Sequence, residues 1–293
     1  MKLIKSMNKS KIIPLLSLGL LSVSLSPIMA KYLSSSATII AFWRMFLASF
    51  LLWFYSLIFR KKLKPLSKEN KIRTFIAGIL LGLHFMLFYQ AVKITTISNA
   101  TFLGTLAPFF TLLIELIFYK RKYNKIIYLG IIVALMGTVF VLLNDFDLSS
   151  KYTLGNFYAL LCSFCIGLSL LIAERVRNNE GTIEYTRMLY GVAALTIFLI
   201  GSFYTDSFII LEKREILGFI FLAVFPTILG HNIFYYSLKY TTPTIVSSVP
   251  LGEPIFASII AFFLFNEIIT INVALGGLLC ICGIYIILKN RSV

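Results

Sequence analysis

The sequence predicts an all-α integral membrane protein of ten transmembrane helices arranged as two inverted five-helix repeats. Three observations predict it: ten long apolar segments, basic residues confined to alternate loops, and landmarks that recur about 146 residues apart. Composition agrees, with 59% hydrophobic and 13% charged residues, against roughly 45–50% and about 25% in soluble domains. A net charge of +15 does not point to nucleic acid, which needs basic residues on one folded polar face. Here they sit between apolar runs, facing lipid headgroups.

The segments cover approximately 12–30, 37–59, 73–93, 98–119, 125–143, 155–173, 184–205, 216–238, 243–265 and 271–288. Each approaches the ~17–25 residues that cross about 30 Å of hydrocarbon as helix. Unbroken runs such as Ile126 to Leu143 lack the alternation of a membrane strand. The first segment follows Lys2, Lys5, Lys9 and Lys11 and ends in Ile28-Met29-Ala30, like a signal peptide. Its counterpart in the second half makes it instead the first membrane helix.

With the N-terminus in the cytoplasm, twenty Lys and Arg fall inside: four before the first segment, seven from Arg60 to Arg73, four from Lys120 to Lys125, and Arg175, Arg177, Lys239, Lys289 and Arg291. Only Lys31, Lys93, Lys151, Lys213 and Arg214 fall outside. This bias predicts cytoplasmic termini in an inner or plasma membrane.

The repeat units span 12–143 and 155–288. A shift of 146 superposes Pro108 on Pro254, Gly130 on Gly276 and Gly137 on Gly283; 147 puts His84 on His231, and 143 puts Arg44-Met45 on Arg187-Met188. Five helices is an odd number, so the copies enter the membrane from opposite sides. Such bundles exchange outward-open and inward-open arrangements at little energetic difference, which favours a transporter. A channel and a non-transporting scaffold or receptor are the alternatives.

Ionisable groups in hydrocarbon are costly unless they face a cavity or one another. Arg44 and Arg187 either pair or snorkel near helix ends, or ring the cavity. Glu253 precedes Pro254, where a kink frees the carbonyl four residues earlier. Three roles fit it: a cavity carboxylate, a salt bridge with Arg44 or Arg187, or a buried neutral acid. Glu115 is expected to pair at the interface with Lys120. His84 and His231 read as core histidines or as proton sites sharing one role. Asn232, Gln90, Ser98, Asn99 and Thr101 add neutral polar groups, and Tyr89, Tyr235 and Tyr236 amphipathic rings.

Pro108 and Pro254 are candidate helix breaks. Gly78 and Gly82 have the spacing of close helix packing. Gly130, Gly137, Gly276 and Gly283 suggest that the fifth and tenth helices pack on each other or on a second subunit. Cys162, Cys165, Cys280 and Cys282 lie in apolar segments and read as core residues. No catalytic residue, metal site or cofactor is expected. A Gly-rich phosphate loop is missing from the sequence, so drive is expected from a solute gradient, a counter-solute or a proton.

The stretch Pro250-Leu251-Gly252-Glu253-Pro254, then Asn266-Glu267, Gly276 and Gly283, resembles the EamA-like family of the drug/metabolite transporter superfamily over nearly the whole chain. The first half keeps Pro108, Gly130 and Gly137, with Ala107 in place of Glu253 and Arg121 in place of Glu267. The resemblance implies ten helices, cytoplasmic termini, a central cavity from the first four helices of each repeat, and fifth and tenth helices set apart. It implies a small-molecule cargo, from amino acids to toxic compounds, frequently exported, with Arg44, His84, Arg187, His231 and Glu253 as the positions to test.

With the native cysteines removed, a cysteine at position 122 is expected to react with an impermeant maleimide only after intact cells are permeabilised. Labelling from outside would reverse the orientation.

Overall fold

The computed structural model describes residues 9–58, 64–95, 97–142, 152–204, 207–210, 212–265 and 271–290. Its α-helices are α1 (Lys9–Tyr32), α2 (Ala37–Ile58), α3 (Lys68–Ile94), α4 (Ile97–Gly104), α5 (Ala107–Ile117), α6 (Lys125–Leu142) and α7 (Thr153–Arg177) in the first stretch. There follow α8 (Thr182–Gly201), α9 (Lys213–Leu222), a π-helix (Ala223–His231), α10 (Asn232–Ser237), α11 (Pro243–Ser248), a 3-10 turn (Val249–Gly252), α12 (Glu253–Phe265) and α13 (Ile271–Lys289). No strand occurs among the described residues.

Among these residues, seven helical stretches are long and apolar enough to cross a membrane, from Lys11–Tyr32 to Lys213–Ser237, and Lys125–Phe140 and Ala274–Lys289 are shorter apolar helices. The protein is therefore an all-α, multi-pass membrane protein. Its faces are distributed accordingly. On α2, Phe46, Phe50, Trp53 and Leu57 are exposed while Arg44, Ser49 and Ser56 are buried, so the helical stripe that faces outward is the apolar one. Phe42, Phe46, Phe50 and Phe54 stack in succession along this helix, at centroid spacings of 5.6, 6.4 and 6.1 Å.

Two of the apolar segments are broken, each at a proline. Pro108 has no N–H for the Gly104 carbonyl, so α4 ends there and α5 restarts at Ala107. In the second half Pro250 and Pro254 break the helix between α11 and α12. The expected free carbonyl is not found. The Pro250 oxygen, which Pro254 cannot serve, accepts the Glu253 N–H in the tight turn. The Leu251 carbonyl is also engaged, accepting the Thr138 hydroxyl from α6 at 3.0 Å and the Cys280 thiol from α13 at 3.1 Å.

A third irregularity was not anticipated. Pro226 lies inside the π-helix and leaves the Leu222 carbonyl without its i+4 donor. The Thr227 hydroxyl bonds that carbonyl instead, at 2.8 Å.

The scaffold rests on small residues. Helices α6 and α13 make the most extensive helix contact, and the glycines meet crosswise. A methyl group on Gly137 would stand 2.6 Å from the Gly276 carbonyl, and one on Gly283 2.7 Å from that of Gly130. The fifth and tenth apolar segments thus pack on each other within one chain. Likewise, Gly78 and Gly82 of α3 bring that helix against Val192 and the Ala193 carbonyl of α8. The four cysteines are free thiols.

Substituting Gly137 or Gly283 with Val is expected to destabilise the fold by about 1–3 kcal/mol, because the added atoms meet backbone that cannot rotate away. Gly277→Ala, whose methyl would stand 3.4 Å from Ile255, is the near-neutral control. Thermal unfolding in detergent distinguishes them.

Candidate functional site: a polar cavity between broken helices

The helix breaks converge on a cavity of about 80 Å³, room for roughly five waters at about 15 Å³ each. It is lined by Ser26 of α1, Arg44 of α2, and His84, Phe85 and Phe88 of α3. The lining also includes Thr105 and Ala107 at the first break, His231 at the end of the π-helix, and Ser247, Pro250 and Glu253 at the second. Ile166, Leu170 and Phe234 complete an apolar lining.

Arg44 does not snorkel; it is 1% exposed. Its Nε donates to the Thr227 hydroxyl at 2.7 Å, and its Nη1 donates to Ser26 at 2.7 Å and to Tyr89 at 2.6 Å. The guanidinium carbon lies 4.1 Å from the centre of the Phe85 ring, a cation–π contact strengthened by desolvation. Thr227 therefore donates to Leu222 and accepts from Arg44, so the proline-induced irregularity of the π-helix aims the hydroxyl that holds the arginine.

His84 Nδ1 bonds the Cys162 carbonyl at 2.9 Å. A carbonyl only accepts, so Nδ1 carries a proton. His231 meets the same Phe85 ring edge-on at 5.3 Å, as His84 does at 4.8 Å. The Glu253 carboxyl has no hydrogen bond or ion pair among the described residues, and the expected salt bridge to Arg44 or Arg187 is not formed within 4.0 Å.

Two expected site residues lie elsewhere. Arg187 is half-buried and stacks 4.1 Å over the exposed Trp53 ring, outside the cavity lining, so the two arginines aligned in sequence do not ring one site. Asn232 accepts a hydrogen bond from the Tyr190 hydroxyl at 2.7 Å and is not a lining residue. Asn266 and Glu267, which carried part of the resemblance, lie outside the described residues, as does the side chain of Ser98.

The expected Glu115–Lys120 pair is replaced by a buried cluster. Lys120 has φ 48°, and this left-handed turn lets the Arg121 N–H bond the Glu115 carbonyl at 2.9 Å, satisfying one of the last carbonyls of α5. The turn sends Lys120 away and swings the Arg121 guanidinium onto the Glu115 carboxylate and onto Glu174 of α7, 3.0 Å distant. Tyr123 and Thr244 donate to the second oxygen of Glu115, which is wholly buried.

Burial works against the Arg121 charge, yet Glu174 and Glu115 more than offset it and raise its pKa above the usual guanidinium value. Burial and the Glu115 carboxylate push the Tyr123 phenol up. At the other end of the bundle, Glu215 accepts the N–H groups of Ser34 and Ser35 at 2.9 and 3.0 Å, while Lys93 donates to the Leu33 carbonyl at 2.8 Å.

The sequence pattern of the EamA-like transporter family matches residues 10–143 and again 153–289. The chain belongs to the EamA-like transporter family. Membership makes the protein one of a family of transporters rather than enzymes. Similar proteins include an uncharacterised transporter of Archaeoglobus fulgidus, 26% identical over 84% of this chain and 86% of that one. An uncharacterised transporter of Haemophilus influenzae is 22% identical over 80% and 82%. The pseudopaline exporter CntI of Pseudomonas aeruginosa is 21% identical over 93% and 95%. A solved crystal structure shares the fold at TM-score 0.77 and 15% identity, covering 98% of this chain and 100% of the other.

Within this EamA-like chain, the sequence reading missed Ser26, Phe85, Thr227 and the Arg121–Glu174 contact. Pro226 followed by Thr227 inside an apolar segment was the available signal for the π-helix. Glu174 stood one residue beyond the segment assigned to 155–173. Arg121→Ala is expected to destabilise the fold by about 3–5 kcal/mol by stranding a buried carboxylate, and adding Glu115→Gln should restore part of the loss. Unfolding midpoints of the single and double variants check this.

Proposed function

We propose that this chain carries a small solute across the membrane by alternating access, as an exporter of an amino acid-like or other small metabolite. The single observation that carries the reading is the cavity itself, in a chain belonging to a transporter family. It lies deep in the bundle, lined by segments from both halves, where two broken helices meet. Polar closures at opposite ends, around Glu115 and around Glu215, suit a state in which the cavity opens to neither side. The name of the pseudopaline exporter supports the outward direction.

The ten-span, inverted-repeat arrangement with cytoplasmic termini belongs to the same proposal. Its support is the pattern of helix contacts. A two-fold relation would exchange α1 against the π-helix with α3 against α7, and α5 against α11 with α4 against α12, and would map α2–α8 and α6–α13 onto themselves. All six contacts are present. The crosswise meeting of Gly130 with Gly283 and Gly137 with Gly276 follows the same relation. His84, His231 and Glu253 on one cavity offer proton sites, so the outward movement is driven by a proton or by an exchanged solute.

Purified protein in vesicles is expected to show saturable counterflow of at least one solute from a pooled amino-acid and metabolite panel. Flux that rises linearly with concentration would indicate a channel. Silence across the whole panel would remove the transport reading.

A further inference from the structure

Arg44 carries a formal positive charge with no carboxylate within 4.0 Å among the described residues. Its three hydrogen-bond acceptors, Ser26, Tyr89 and Thr227, are neutral hydroxyls. They occupy Nε and Nη1, and Nη2 is buried with no partner. A buried donor on a charged group is destabilising while it stays unmatched, and buried charges are retained where they meet a counter-charge. The fold supplies the fixing contacts of this guanidinium and leaves one edge unserved.

The acidic group on the same cavity is the converse case. Glu253 is 8% exposed, lines the cavity, and receives no donor from any described residue. Its own backbone N–H is engaged with Pro250, which fixes the start of α12 and so holds the side chain's root in place. One cavity thus presents an unpaired guanidinium edge and an unpaired carboxyl that do not reach each other. Phe85, Phe88 and Phe234 are among the apolar lining residues.

We propose that this cavity recognises a zwitterion at two points: a solute carboxylate on Nη2 of Arg44 and a solute ammonium on the Glu253 carboxylate, with the intervening carbon on the phenylalanine rings. Because Nη1 and Nε are already engaged, the carboxylate contact is through Nη2 alone rather than the two-nitrogen fork. Such a charge-assisted bond is stronger than a neutral one. Each end of the solute supplies the partner that one buried group lacks, so loss of either end leaves a buried polar group unmatched. Solutes bearing only one of the two groups are therefore rejected. The assignment rests on the transport reading for its biological sense, while binding tests it separately.

The experiment uses the purified full-length protein in detergent, with ligand-induced thermal shift as the readout. Amino acids of graded side-chain size are compared with their carboxamides and with the matching carboxylic acids that lack the amine. Binding of at least one amino acid is expected, with its amide and its deaminated acid each weaker by tenfold or more. Glu253→Gln should abolish the preference for the amino acid over the deaminated acid while keeping the preference over the amide.

Since Arg44 joins three elements, Arg44→Lys is read only in protein that retains the wild-type elution profile; there it should lose the acid-over-amide preference at least in part. Amides or deaminated acids that bind as tightly as the parent overturn the proposal, as does failure of every amino acid to bind. Saturable transport of a solute lacking one of the two charges overturns it too, and leaves the transport reading standing.

Discussion

A positive charge in hydrocarbon must be held by something, and much of this bundle is arranged around Arg44. Its guanidinium draws a hydroxyl from α1, a phenol from α3 and a threonine from the π-helix. Those contacts tie together elements far apart in sequence. They also explain the irregular geometry of the π-helix. A regular helix through Ala223–His231 would leave the Leu222 carbonyl unbonded at Pro226, and Thr227 both repairs that defect and presents its oxygen to Arg44. A backbone fault and a buried charge are satisfied by the same hydroxyl.

The broken helices need a firm support, since each break releases backbone groups that lipid cannot hydrogen-bond. Helices α6 and α13 provide it. Their glycines allow the backbones to touch, and from that close pair Thr138 and Cys280 both bond the Leu251 carbonyl at the second break. The rigid pair thereby fixes the turn from which Glu253 projects. Close packing at one side of the protein sets the position of a carboxyl in the cavity.

How much of this could be read from the chain differs from residue to residue. The membrane class, the glycine contact and the prolines at the breaks followed from hydropathy, spacing and the missing proline N–H. The repeat shift drew His84 and His231 together, and both line the cavity. The same shift placed Arg187 beside Arg44, which the packing does not support: Arg187 has an aromatic ring to stack on, and its helix presents it to Trp53.

Sequence distance favoured Lys120 for Glu115, while a single left-handed residue gave the contact to Arg121. Ser26 and Thr227 carried no distinguishing pattern, because hydroxyls bonded to their own helix are common in apolar segments. Ser22 and Ser24, bonded to Leu18 and Leu20, look the same in sequence.

The stacked phenylalanines on α2 have a mechanical meaning. That helix contains neither proline nor glycine from Ala37 to Ile58, and its outer face is stiffened by four rings in series. Other elements that line the cavity with Arg44 are wound as π-helix or interrupted. Helices bend most readily at proline and at π-helical irregularities, so bending in this bundle falls on the jointed elements rather than on α2.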